Sequence, residues 1–292
     1  MTFDHLVMQW IQSLHALGGS FFDGLFACFT FLGEETFLLV GVFGIYWCLD
    51  KRMGEQLLLG LYTSIGVNGL VKDLVRRPRP FLTPGFEDLR YVKIENPLVN
   101  TVHLKDSFSF PSGHSQCSAA FFGGIARRFK KGWATVCCVL LTLAVMISRL
   151  YLGVHFPTDV LVGAAVGLAA ALLCGWLFDR FYEHRLWLFV AAVGLTLPAL
   201  FLSPTPDTVK TIGVGIGALA GLAWEHRFCF SVKGSPTRRL LRLLLGAALL
   251  MALRMGLKLL FPASLVFDAV RYGIMGFAAT GLWPWLFTRF RL

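Results

Sequence analysis

Nine apolar runs suited to crossing a bilayer follow one another along this 292-residue chain, near residues 24–48, 55–74, 112–126, 133–150, 158–178, 186–203, 208–224, 240–260 and 266–287. That succession constrains the fold more than any single motif does. A hydrocarbon core about 30 Å thick needs roughly 20 helical residues per crossing, and only helices or closed barrels satisfy their backbone there. The expected fold is therefore all-α: a polytopic transmembrane helical bundle with no separate soluble domain. Composition agrees, with 56% hydrophobic and 15% charged residues and a mean hydropathy of +0.66, outside the range of soluble domains. The first run carries Glu34 and Glu35 directly after Gly33, which leaves residues 20–33 open to a re-entrant or interfacial path.

The formal net charge of +10 could suggest nucleic acid, but the cations fall in short clusters between apolar runs. Lipid headgroups and topology account for that placement, and no nucleic-acid partner is expected. Lys51-Arg52, the cluster at 127–131, and the basic residues of 180–185, 227–242 and 289–291 all fall on one side when connections alternate. That side is expected to be cytoplasmic. The opposite side receives 75–111, 151–157, Ser203-Pro204-Thr205-Pro206 and 261–264. Seven cysteines, mostly inside apolar runs, lack metal-ligand spacing and read as packing residues. Over residues 1–18, Phe3, Leu6, Val7, Trp10, Ile11, Leu14 and Leu17 share a helical stripe, which fits an interfacial helix better than a cleaved signal peptide.

One outer connection breaks the charge rule. The 75–111 loop opens with Arg76-Arg77-Pro78-Arg79-Pro80 and continues to Arg90, Lys93 and Lys105, only partly balanced by Glu87, Asp88, Glu95 and Asp106. An anionic substrate would explain cations where topology disfavours them. Three polar segments end on that same face by parity: 72–80, Pro111-Ser112-Gly113-His114, and Ser148-Arg149 followed by His155 and Asp159. Ionisable groups at a membrane edge are functional candidates. Lys72, Arg79 and Arg149 suit the charge of a transferring phosphoryl group, arginine adding a planar fork. His155 and Asp159 are four apart, so the carboxylate can fix one imidazole nitrogen and leave the other free to attack phosphorus. Ser112 can cap a helix or bond phosphate, Gly113 permits close backbone approach, and His114 is placed to act as general acid.

These segments carry a family resemblance. Lys72, six residues and Arg79-Pro80; Pro111-Ser112-Gly113-His114; and Ser148-Arg149, five residues, His155, three residues, Asp159 together resemble the tripartite pattern of the type 2 phosphatidic acid phosphatase superfamily, the lipid phosphate phosphatases. The resemblance covers about residues 55–178. It implies a six-helix catalytic core, a metal-independent reaction without cofactor, His155 as nucleophile, His114 as acid, and Lys72, Arg79, Ser112, Gly113 and Arg149 as phosphate ligands. About three further spans follow residue 203, a layout similar to the sphingosine-phosphate phosphatase or glucose-6-phosphatase branches.

The expected organisation is an amphipathic interfacial helix over 1–20, a catalytic core over 21–203 and additional transmembrane helices over 204–292. Within the last, Arg254 or Lys258 is placed either to pair with Asp268 or to reach the outer headgroups. The expected partners are a lipid phosphate substrate and membrane lipids. The expected location is the plasma (inner) membrane, with the site on the extracytoplasmic side. A phosphotransferase on the same scaffold and a non-enzymatic transporter are the alternatives, and a polyprenyl pyrophosphate, phosphatidate, phosphatidylglycerol phosphate, sphingoid phosphate or sugar phosphate all remain open as substrate.

Overall fold

The computed structural model describes residues 2–94, 99, 101, 104, 107–202 and 205–292. Glu95, Lys105, Asp106 and Ser203-Pro204, which entered the charge and topology reading, lie outside the described residues. Among the described residues the secondary structure is helical without a strand. In order, the helices are α1 (Phe3–Gln12), α2 (Leu14–Gly18), α3 (Ser20–Phe31), α4 (Glu35–Cys48), α5 (Lys51–Val75), α6 (Gly113–Phe129), α7 (Gly132–Tyr151), α8 (Pro157–Arg180), α9 (Arg185–Thr196), α10 (Pro198–Leu202), α11 (Pro206–Phe228), α12 (Pro236–Leu260), α13 (Leu265–Phe277) and α14 (Trp283–Arg289).

Among the described residues the nine apolar runs fall mainly on helix, the first being broken over 32–34. Five segments are long and apolar enough to cross a membrane by themselves: α7, α8, Tyr182–Leu202, α12 and Leu265–Arg289. The pair α3 and α4, bent by 46° at the break after Phe31, passes the same test together, as one broken span or as a re-entrant loop. The polar content of α5 and α6 sits under cover: Glu55, Gln56, Ser64 and Asn68 on α5, and Ser115, Gln116 and Ser118 on α6, are all buried. Such helices hide polar groups from lipid by packing against protein.

The chain divides into two compact units, Met1–Leu38 with Val71–Leu173, and Leu39–Leu70 with Cys174–Leu292. In the first, α1 splits its apolar stripe. Phe3, Leu6 and Trp10 stay exposed while His5, Met8, Ile11 and Gln12 turn inward. The inward polar pair binds the 76–112 loop: His5 Nε2 meets Asp88 Oδ1 at 2.8 Å, and the Gln12 amide donates to Arg90 O (2.8 Å) and accepts from Arg90 N (2.9 Å). Arg90 also forks onto Asp23 of α3, both contacts at 3.2 Å. Beneath the loop, Ile11, Phe26, Met146, Leu150, Leu152, Val154 and Val160 form a buried cluster, with the Phe26 and Tyr151 rings stacked 4.2 Å apart. The long loop is therefore held by side-chain bonds to α1 and α3 and by an apolar floor.

In the second unit, Gly213, Gly217 and Gly221 line one face of α11 at four-residue spacing. A Cβ on any of them would collide with Ala269, Gly273 or Thr280 respectively, so the backbones touch as in small-residue membrane packing. Thr280, in the wide turn Ala278–Leu282, donates to Ala218 O (3.0 Å) and Gly276 O (2.9 Å). Buried charges are paired: Lys51 with Glu225 at 2.6 Å and Arg185 with Glu55 at 3.0 Å. Asp268 finds its cation one turn along its own helix, Arg271, rather than at Arg254 or Lys258.

Gly217→Leu tests this packing. Helix propensity would gain about 0.8 kcal/mol, but overpacking against a neighbouring backbone costs about 1–3 kcal/mol or more. The thermal midpoint in detergent should therefore fall; an unchanged or raised midpoint would mean that the close approach of α11 and α13 is wrong.

Candidate active site

All three polar segments converge in the first unit. Lys72 lies in the last turn of α5, Arg149 in the last turn of α7 and Asp159 in the first turn of α8. His155 occupies the turn between α7 and α8, where Gly153 adopts φ +72°. That left-handed conformation favours glycine, and a Cβ there would also strike Arg90 O. Ser112 is the N-cap of α6, its Oγ accepting from Ser115 N at 3.4 Å. The same residue's backbone N donates to Asp159 O at 3.0 Å, which ties the start of α6 to the start of α8. Gly163 makes room for this contact, since a Cβ there would stand 2.6 Å from Ser112 O.

His155, Asp159, Arg79 and Arg149 are all at most 2% exposed. The Arg79 guanidinium donates through Nη1 to Val154 O (2.9 Å) and contacts His155 Nε2 at 3.3 Å. Arginine has no acceptor, so Nε2 must present its lone pair to that contact and the imidazole proton belongs on Nδ1. Nδ1 faces Asp159 Oδ2 at 3.5 Å, beyond hydrogen-bond length, and has no other partner. Catalytic hydrogen bonds are often this long before substrate binds. His155 and Asp159 are thus side by side without a hydrogen bond, and Nε2 turns toward Arg79. Burial, followed by the charges of Arg79, Arg149, Lys72 and His114, holds the His155 imidazole well below the usual value of 6.5. Burial also lowers Arg79 to about 10, which leaves it cationic at neutral pH.

Arg79 spends most of its donors on backbone, adding Leu104 O and Ser107 O at 3.0 Å each and Ser107 Oγ at 2.7 Å. It organises the loop as well as facing His155. Arg149 is less committed: Nη1 donates to Thr30 Oγ1 at 2.6 Å, and Nε has no partner. His114 approaches Glu34, Nε2 to Oε1 3.0 Å, in a geometry that makes an ion-pair contact rather than an aligned hydrogen bond. Gly113 opens α6. Lys72 is near enough to act electrostatically on both histidines. A cavity of about 530 Å³ between α6, α7 and α8 is lined by apolar residues such as Ala119, Val139, Met146 and Leu168, and contains none of these groups.

Two family models match the chain, the PAP2 superfamily over residues 55–183 and the PAP2 superfamily phosphatase transmembrane extension over 209–292. The phosphatidylglycerophosphatase B of Bacillus subtilis is 34% identical over 171 residues, which cover 53% of this chain and 75% of that protein. The chain belongs to the PAP2 superfamily. A probable sphingosine-1-phosphate phosphatase of Dictyostelium discoideum is 26% identical over 244 residues, or 74% of this chain. The chain spans only 57% of that relative's length. A crystal structure of a transmembrane PAP2 type phosphatidylglycerolphosphate phosphatase from Bacillus subtilis aligns with TM-score 0.46 at 27% identity, covering 60% of this chain and 86% of the other.

Three contacts around this PAP2 site had no signature in the sequence. Arg77 donates through Nη1 to Asp159 Oδ1 (2.8 Å) and Thr158 Oγ1 (2.6 Å), reaches Asp4 with Nη2 (3.2 Å), and lies 3.8 Å over the Phe156 ring. Thr30 holds Arg149, and Glu34 meets His114. The Arg-Pro-Arg-Pro run marked the loop as basic but could not say that one arginine turns to His155 and the other to Asp159.

Arg77→Ala should release one oxygen of the Asp159 carboxylate, and misplacement of a catalytic group by an ångström can lower turnover about 100-fold. A kcat within about twofold of wild type would remove Arg77 from the site; Arg77→Lys, which lacks the fork, should recover only part. The depressed value of His155 gives a second expectation. Its neutral form favours the folded protein above pH 6.5, and that contribution is lost as pH falls toward the folded value. The thermal midpoint of the wild type should therefore drop more between pH 7 and pH 5 than that of His155→Gln, and equal drops would count against a buried neutral imidazole.

Proposed function

We propose that this chain is a metal-independent phosphatase of lipid phosphates, acting through a phosphohistidine at the extracytoplasmic face of the plasma (inner) membrane. The observation that carries the reading is the pair of contacts on one buried imidazole: Asp159 on the Nδ1 side at 3.5 Å and Arg79 on the Nε2 side at 3.3 Å. In that arrangement the attacking lone pair already points at a cation. A phosphate placed there would take N–H donors from Arg79, the open side of Arg149, Lys72, and the Ser112-Gly113 start of α6.

The reaction follows in two balanced halves. His155 Nε2 bonds to phosphorus as the bond to the ester oxygen breaks; the electron pair stays on that oxygen, which takes a proton from His114. Water then attacks phosphorus, giving its proton to His114, while the P–N pair returns to His155 and inorganic phosphate leaves. As the nitrogen becomes cationic, its Nδ1–H can close on Asp159, which strengthens the interaction in the transition state rather than the ground state. Cations already in place supply the charge neutralisation that phosphoryl transfer needs.

Orientation rests on the chain's own asymmetry. On α6 the site residues Ser112 and His114 are at the start and Arg127-Arg128 in the last turn; on α7 Lys131 is the N-cap and Arg149 ends the helix. The basic ends favour the cytoplasm. A lipid is favoured because the site sits at the ends of membrane-crossing helices, and the names of the similar relatives also fit a lipid phosphate. We divide the chain into the interfacial helix of 1–20, a catalytic core over 21–203 and a transmembrane extension over 204–292, a division the two matched ranges support.

Purified full-length protein should release phosphate from at least one lipid phosphate in the presence of a chelator, and His155→Ala should abolish it. Rapid quenching with a phosphorus-labelled lipid should trap acid-labile, alkali-stable label on the wild type only. Chelator-sensitive turnover, or label on another residue, would overturn the mechanism.

A further inference from the structure

The break between α3 and α4 is where a membrane segment carries a carboxylate to the site. Residues 32–34 interrupt the helix, and the two halves are bent by 46°. Gly33 is pressed against α6 and α7: a Cβ there would lie 2.8 Å from Val145 Cγ1 and 3.1 and 3.3 Å from His114 Cβ and Cδ2. Only a residue without a side chain lets the turn come this close. Its neighbour Glu34 then brings Oε1 to 3.0 Å from His114 Nε2, an atom sealed from solvent. One turn earlier, Thr30 bonds Arg149. The broken segment thus touches both the acid and a phosphate-facing cation.

We propose that Glu34 is a positioning residue for His114: its carboxylate, 3.0 Å from Nε2, closes on Nε2–H when the ring is protonated and so commits the opposite ring nitrogen to proton delivery. The inference rests on the reading of His114 as general acid. A carboxylate at a membrane edge is expensive unless it is used, and a carboxylate behind an imidazole fixes ring orientation and tautomer. When the P–O bond breaks, the His114 imidazolium gives its Nδ1 proton to the leaving oxygen and keeps the Nε2 proton against Glu34. In the second half, Nδ1 takes a proton from water. Both directions use the same nitrogen.

This role makes a selective demand. An aliphatic alcohol leaves poorly as an alkoxide and needs the proton, whereas a p-nitrophenolate leaves without one. Full-length Glu34→Gln should therefore lower kcat for an alkyl lipid phosphate relative to that for p-nitrophenyl phosphate by about 10-fold or more, general acids contributing roughly 10²–10⁴-fold in all. KM for the lipid should move far less than kcat. Glu34→Asp keeps the charge but retracts it, and should shift the same ratio to a smaller extent. Both variants are compared with the wild type after checking thermal unfolding, and Glu34→Asp carries the test if Glu34→Gln does not fold. An unaltered alkyl-to-aryl ratio in the folded variants would overturn the role of Glu34, whether activity falls equally on both substrates or not at all. His114→Ala and His155→Ala separate the premises. If His114→Ala leaves the ratio unaltered, the acid assignment fails; if His155→Ala still turns over both substrates, the phosphohistidine mechanism fails.

Discussion

The Asp159 carboxylate is fully buried, and Phe156, Arg77 and Ser112 all bond to this one residue. Oδ2 accepts from Phe156 N at 2.9 Å, which shapes the turn that presents His155. Oδ1 accepts from Arg77, which in turn reaches Asp4 on α1. The backbone carbonyl of Asp159 accepts from Ser112 and so anchors the start of α6. A buried carboxylate is tolerated only when it is paired and hydrogen-bonded. The need to satisfy this one group therefore draws the 76–112 loop, the α7–α8 turn and two helix starts to the same place.

The arginines divide the remaining work. Arg79 is nearly saturated by the carbonyls of Leu104, Ser107 and Val154, so it fixes the loop. Arg149 keeps an unpartnered Nε and one bond to Thr30. A guanidinium with open donors can be recruited at little rearrangement, whereas a saturated one holds its place. Pre-organisation of this kind lets a site stabilise developing charge without reorganising at the moment of reaction.

The helical bundle and its motif residues were legible in the sequence because they rest on local rules. Apolar runs must become helices inside hydrocarbon, and the four-residue spacing of His155 and Asp159 keeps the two close in the chain, His155 in the turn that leads into α8 and Asp159 in its first turn. α1 shows where such rules stop. Its periodicity marked Phe3, Leu6, Trp10 and Ile11 as one stripe, yet Ile11 and the polar Gln12 face inward while Phe3 and Trp10 do not. Helical spacing names a face but not what covers it. Asp268 likewise offered candidates on a neighbouring helix and found Arg271 one turn along its own, a contact that needs no registration between helices.

By itself the sequence determined that the chain crosses a membrane repeatedly, that Lys72, Arg79, Ser112, Gly113, His114, Arg149, His155 and Asp159 share one set of helix ends, and that the tripartite pattern is that of the PAP2 superfamily. Tertiary structure alone decided that Arg77 serves Asp159, that Thr30 serves Arg149, and that a broken segment lays Glu34 beside His114. The first set follows from spacing along a chain of known helical rise. The second depends on contacts between residues 80 or more positions apart, whose meeting is set by how whole helices pack, and no periodicity within a single segment encodes that.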